Sequence, residues 1–274
     1  MNAPVPTRPF GYWAFIIFRF NWPFYAAVAL ALAIGAFVLP HSPLFEQCSN
    51  GPLRSCAWLA FWLAAFWGVG SLGVSEIVYG VSKVFELDWL DAFLPSRPTR
   101  WLNIHCGFDP ASRALRRKYP SPEGLAIELH APDLITEASI QRARGWFPSE
   151  VSARTADPRR LPVADGSRDC VFLLFAAHEI RDRAARNAFF AELNRVLEAG
   201  GRVVLVEHLR DAANAAAFGP GVFHFLSRAT WMEAARAGGF VILREFPLTP
   251  FVRGFVLEKW NAPETGAHAG ETYE

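Results

Sequence analysis

The chain has 274 residues, 52% of them apolar, and a formal net charge of +1, with a positive mean hydropathy. A chain of this length and composition buries a large core or enters a membrane. Near-neutrality excludes the basic stripe that nucleic-acid binding requires, so nucleic acid is not expected as a partner.

Trp22 to Leu39 (WPFYAAVALALAIGAFVL) is an uncharged apolar run about as long as the roughly 20 residues that cross a bilayer. Ala57 to Ser75 (AWLAFWLAAFWGVGSLGVS) is a second. Trp at their edges and small residues inside them fit spanning helices. The first run is long, starts late and is followed by Pro40 and His41, which does not fit a cleaved signal peptide. Arg8 and Arg19 precede the first run, whereas the intervening loop carries only Arg54 against Glu46. The expected arrangement is a two-pass anchor over residues 1–81 in an inner (cytoplasmic) membrane, with the amino terminus and everything after the second span in the cytoplasm. Cys48 and Cys56 bracket the end of the outer loop, where a disulfide and two separate thiols are both open. Cys106 and Cys170 fall in predicted strands, as small core residues do.

Between Glu76 and Arg100, Val84, Phe85, Leu87, Trp89, Leu90, Phe93 and Leu94 recur among mixed charges, closed by Pro95 and Pro98. This predicts an amphipathic linker helix over 82–100 lying on the bilayer surface or on the following domain. It is either a plain linker or a roof over a pocket that Glu76 and Tyr79 would face.

Strands and helices then alternate. Val151 to Arg154 is a predicted strand. Cys170 to Phe175 is nearly all apolar without alternation, as in a strand covered on both faces. From Arg181 to Glu198, Ala185, Phe189, Leu193, Val196 and Leu197 share one helical stripe, with Arg183, Arg186, Glu192 and Arg195 mostly away from it. Gly200 and Gly201 are expected to end that helix, and Val203 to Val206 follows as a second buried strand. A helix around Thr230 to Ala237 and strands at Val241 to Phe246 and Phe251 to Glu258 complete the domain, and a polar tail from Asn261 onward is expected to be disordered. Strand, helix and parallel strand make a right-handed βαβ unit whose ligands sit beyond the carboxyl ends of the strands. His178, Glu179, Glu207 and His208 fall at those ends.

The segment LPVADGSRDCVFLLFAAHEI, with LP-x-x-D-x-S-x-D entering the fourth strand, and LEAGGRVVLVEH, with L-x-x-GG-x entering the fifth, resemble the class I S-adenosylmethionine-dependent methyltransferases. The nearest group is the small-molecule type that includes the ubiquinone and menaquinone C-methyltransferases, over about Arg100 to Lys259. The resemblance implies an α/β fold, a doubly wound seven-stranded Rossmann-like domain over 101–260 behind the two transmembrane helices, with S-adenosyl-L-methionine as cofactor. By this resemblance Trp101 to Cys106 takes the place of the first strand, Gly107 to Ser112 that of the nucleotide loop and Gly124 to Glu128 that of the second strand, and in the family the first strand and loop read as an acidic residue and G-x-G-x-G. Here the matching residues are Asn103, His105, Gly107 and Asp109, and only Gly107 is kept. Glu128 matches the acidic residue that holds the ribose hydroxyls, and Ala156 and Asp157 match the positions that hold the adenine amine. Ala177, after the fourth strand, completes the implied cofactor set with His105, Gly107 and Asp109.

His224, in the insertion FGPGVFHFLSRATW, is expected to join His178, Glu179, Glu207 and His208 on one rim. Methyl transfer requires an oriented nucleophile and removal of a proton, a task suited to a histidine. His208 or His224 is expected as the base, with His178 and Glu207 beside it. Phe218, Phe223, Phe225, Trp231, Phe246 and Phe251 line either the core or an apolar acceptor pocket. The expected function is a membrane-anchored methyltransferase acting on a hydrophobic small molecule, quinone-like or lipid. Two rivals stay open: a methyltransferase-fold subunit without transfer activity, and a metal-assisted enzyme on the same fold. No tight H-x-x-x-H or C-x-x-C spacing supports the latter, so no metal ligand is assigned.

Overall fold

The structure is a computed structural model that describes residues 8–41, 51–147 and 154–260. Its frame is a seven-stranded sheet in the order β3-β2-β1-β4-β5-β7-β6. The strands are β1 (Trp101–His105), β2 (Leu125–Leu129), β3 (Arg154–Ala156), β4 (Arg168–Leu174), β5 (Leu197–His208), β6 (Phe240–Thr249) and β7 (Val252–Lys259). The first five are parallel to one another, and β7 runs antiparallel between β5 and β6. This is the doubly wound sheet expected from the sequence. Its order reverses between β1 and β4, which opens a crevice beyond their carboxyl ends.

Buried residues alternate strictly in direction although the strands do not alternate in polarity. Leu102, Ile104, Ile127, Leu129, Val171, Leu173, Val203 and Leu205 enter one core. Trp101, Cys170, Phe172, Leu174, Val204 and Val206 enter the other. Successive side chains point to opposite faces, so a strand covered on both sides must be apolar throughout.

Among the described residues, three α-helices precede the sheet: α1 (Tyr12–Phe20), α2 (Trp22–His41) and α3 (Pro52–Glu76). Helices α2 and α3 are long and apolar enough to cross a membrane by length and composition, and the apolar window of α2 has no buried residue. Helix α3 continues without a break into a π-helical turn, Ile77–Val81. The linker expected over 82–100 is not a regular helix. Lys83 and Leu87 have positive φ, a conformation that interrupts a right-handed helix, and only a 3₁₀ turn, Asp88–Ala92, follows. Val78, Val84, Leu87 and Leu90 are buried in the second core against β1, β4 and β5. The end of the second apolar helix and the segment after it therefore form a layer of the α/β domain.

The remaining helices are α4 (Ser112–Lys118), α5 (Ala138–Trp146), α6 (Arg183–Val196), α7 (Ala212–Phe218) and α8 (Arg228–Ala237). Asp182, Asp211 and Ser227 cap α6, α7 and α8 by accepting from backbone N–H groups of the first turn. Helix α6 buries Phe189, Leu193 and Val196 as its stripe requires, but Arg186 and Glu192 are buried too. Arg186 donates to the carbonyls of Ile180 and Arg181, and Glu192 accepts from the Leu161 N–H and pairs with Arg195. The helix ends at Val196, ahead of Gly200 and Gly201, because Leu197 is already extended and pairs with Arg168. Cys106 is half-buried just past β1 and Cys170 is buried in β4; Cys56 is an exposed free thiol, and Cys48 lies outside the described residues. Residues 151–153 of the expected third strand and the tail from Asn261 also lie outside them.

Candidate active site

Strand β1 ends at His105, whose register partner on β2 is Glu128, so the two side chains stand side by side at the rim. Gly107 follows with φ +86°, and a Cβ there would lie 3.1 Å from Arg144 Cγ. Both constraints favour glycine at this one position of the loop. Asp109 turns back onto α4: its Oδ1 accepts from the N–H groups of Ala111 and Ser112 and from Asn103 Nδ2. It caps the helix instead of reaching across the crevice, while its other oxygen lies 3.6 Å from His105 Nε2. His105 itself is buried.

A residue without any expected role stands across the ribose-side carboxylate. Arg144 of α5 donates from Nε to Glu128 Oε1 at 2.6 Å and from Nη2 to the Leu129 carbonyl at 2.7 Å. Nothing in the sequence signals this, because the pairing depends on how α5 lies over β2. Ala156 is buried and its carbonyl accepts from His130 N. Asp157 is half-exposed and pairs with Arg159. Ala177 is buried in a 3₁₀ turn, Ala177–Glu179, after β4. The donor set fits the cofactor in kind, with a carboxylate after β2, an acid after β3 and an obligatory glycine after β1. In this conformation Arg144 occupies one oxygen of the Glu128 carboxylate.

The expected rim does converge. His178 Nδ1 lies 2.7 Å from Glu207 Oε2 and its Nε2 3.2 Å from Glu179 Oε1, and Glu207 Oε1 also accepts the His178 backbone N–H. Burial alone would lower the pKa of this ring, but the flanking Glu207 and Glu179 carboxylates outweigh it and raise the pKa to about 10. The His178 ring meets the His224 ring edge-on, with centroids 5.2 Å apart. Ligand atoms of His178, Glu179 and His224 lie within 4.8 Å of one another, as a metal site would require. Arg181 already brings a cation there: its Nη2 lies 2.6 Å from His224 Nδ1. The same Nη2 lies 3.2 Å from Nε2, so the guanidinium sits against both ring nitrogens, and its positive charge disfavours a metal ion at this position. Burial, the charge of His178 and the charge of Arg181 lower the His224 pKa to about 3.

His208, at the end of β5, has a different environment. Its Nδ1 lies 2.9 Å from the Phe251 carbonyl. A carbonyl accepts only, so Nδ1 carries the proton and Nε2 keeps its lone pair. Tyr79, from the π turn that ends α3, donates its hydroxyl to that Nε2 at 2.8 Å. Burial and the nearby His178 charge lower the His208 pKa to about 4, which keeps the ring neutral near pH 7. Tyr79, Phe175, Phe218 and Phe225 surround the imidazole, with Phe225 stacked on it at 4.8 Å. Phe175 has φ +55°, a strained conformation for a residue with a Cβ and one that clusters at functional sites. Of the other aromatics, Trp231 is fully buried, Phe246 stacks on Phe93 away from the rim, and Phe223 is exposed.

Helix α1 roofs the cofactor side. Phe108, the loop residue after Gly107, packs against Trp13 and Phe20. Glu76, which would face a pocket only if the segment after α3 were a roof, accepts the N–H groups of Trp13 and Ala14 on one oxygen and caps α1.

Residues 102–205 match a protein-family model described as a methyltransferase domain. The structure of the pyocyanin biosynthetic protein PhzM is similar at 14% identity, with a TM-score of 0.50, over 94% of this chain and 77% of that one. A SAM-dependent methyltransferase from Aquifex aeolicus is similar at 14% identity and a TM-score of 0.47, over 65% and 91% of the two chains. One from Mesorhizobium loti reaches 18% identity and a TM-score of 0.45, over 66% and 100%. Among curated proteins no sequence matches. Residues 102–205 thus carry the methyltransferase fold.

Proposed function

We propose that the protein is a membrane-anchored S-adenosylmethionine-dependent methyltransferase whose acceptor is a hydrophobic small molecule drawn from the bilayer. The observation that carries this reading is the 2.8 Å hydrogen bond from Tyr79 to His208. It makes the end of the second apolar helix a wall of the site, so the anchor and the catalytic pocket are one structure. Exposed apolar side chains along α2 and α3 support a lipid surrounding, with Phe37 70% and Val69 74% exposed.

Glu128, Asp157 and the Gly107 backbone would hold the cofactor, which supplies an activated methyl group on a sulfonium. His208 accepts a proton through Nε2 from an acceptor group that takes the place of the Tyr79 hydroxyl. The Phe251 carbonyl holds the ring in the tautomer that makes this atom the acceptor. Phe175, Phe218, Phe225 and Tyr79 provide flat apolar walls, and a quinone-like ring suits them.

Arg144 on Glu128 favours a second reading, a methyltransferase-fold subunit that no longer transfers methyl groups. Calorimetry of the detergent-solubilised protein with S-adenosylmethionine separates the two. Binding that Glu128→Ala abolishes supports the enzyme, and absence of binding in both proteins supports the subunit.

A further inference from the structure

Three large apolar side chains of the described residues 101–259 are exposed: Trp146, Phe223 and Leu243. Two of them abut the N-terminal helices. Trp146 carries the Arg19 guanidinium of α1 over its ring at 3.8 Å. Phe223 lies in the 3₁₀ segment Gly219–His224 that follows α7, and that segment docks directly on α3. Trp67 Nε1 donates to the Ala216 carbonyl at 3.1 Å, and a Cβ on Gly219 would lie 2.3 Å from the Trp67 ring.

Depth follows from helix geometry. The apolar helical stretch runs from Pro52 to Val81, about 45 Å at 1.5 Å per residue, whereas the hydrocarbon layer is about 30 Å thick. Trp67 lies inside the second apolar run, Ala57 to Ser75, and so within that layer. Whatever packs against Trp67 lies at that level. The docked segment is suited to it, because residues 212–227 contain no Asp, Glu, Lys or Arg. Arg210 stands at its edge, its guanidinium 5.8 Å from the Phe223 ring and donating to the carbonyls of Phe225 and Phe223, so a cation borders the uncharged segment.

We infer that residues 212–225 are a membrane-inserted lobe of the methyltransferase domain, with Phe223 among the acyl chains of the leaflet on the domain's side and Arg210 at the headgroups. The partner of this surface is the lipid bilayer. The inference rests on the membrane reading above and adds that the site's own insertion, not only the anchor, enters lipid. His208 precedes this lobe and His224 lies within it, so an acceptor reaches them from the bilayer without crossing water.

The test uses the full chain in phosphatidylcholine nanodiscs, with Cys48→Ser and Cys56→Ser as background and an environment-sensitive fluorophore on Phe223→Cys. Val69→Cys in α3 and Glu123→Cys, exposed in the turn before β2, are labelled in parallel, and lipids spin-labelled on the acyl chain serve as quencher. The expected result is loss of emission at 223 comparable to that at 69, with none at 123. Quenching at 69 but not at 223 overturns the inference and leaves the anchor standing. Quenching at neither position removes the anchor and the inference together. If the label at 223 lowers the unfolding midpoint, Phe223→Trp read with brominated lipids against the unsubstituted chain replaces it. Extra quenching supports insertion, and its absence overturns it.

Discussion

Replacing Glu207 with Gln keeps an acceptor for the His178 ring but removes one of the two carboxylates that hold its proton. The pKa of His178 is about 10 against 6.5 for the free side chain, so the folded state binds this proton more tightly than the unfolded state. That stabilisation is complete below pH 6.5 and is lost as the pH rises to about 10, at ~1.4 kcal/mol per pH unit. The whole interval corresponds to a few kcal/mol. For a chain of this size, 1 kcal/mol moves the unfolding midpoint by ~2–4 °C. Thermal unfolding in detergent, followed by intrinsic fluorescence at intervals from pH 6 to 10, should show the unsubstituted protein losing several degrees across the range. Glu207→Gln should melt lower at pH 6 and lose less as the pH rises, so that the two curves converge toward pH 10. Parallel curves with the same pH slope would refute the assignment of the His178 proton to this carboxylate cage.

Substitution of Glu76 by Gln should weaken the cap on α1 by ~1–2 kcal/mol; amide exchange over residues 12–20 should speed up while the sheet strands stay protected. His208→Ala should lower methyl transfer by roughly 10²- to 10⁴-fold without loss of cofactor binding. Tyr79→Phe should cost about 1 kcal/mol of stability and leave that binding in place. Turnover with a fixed apolar acceptor and calorimetry on the same samples distinguish these outcomes, and His208→Ala with full turnover would remove it as the base.

The central strands were legible because a strand covered on both faces is nearly all apolar, as Cys170 to Phe175 and Val203 to Val206 are, whereas the seven-stranded sheet was implied by the family resemblance. The two long apolar helices follow from composition alone. Gly107 and the rim histidines were legible from their distance past each strand. Segment 82–100 was misread as a helix because its apolar spacing of three suits a 3₁₀ path as well, and the positive φ of Lys83 and Leu87 leaves no mark in composition. The sequence by itself therefore determined the central strands, the two apolar helices and which residues end the strands, since these depend on local pattern and on neighbours a few positions away. Only the tertiary structure decided that Arg144 covers Glu128, that Arg181 is the cation beside His224, and that Tyr79 reaches His208 across 129 positions of chain. Each of those pairings joins elements whose separation in sequence carries no information about their distance in space.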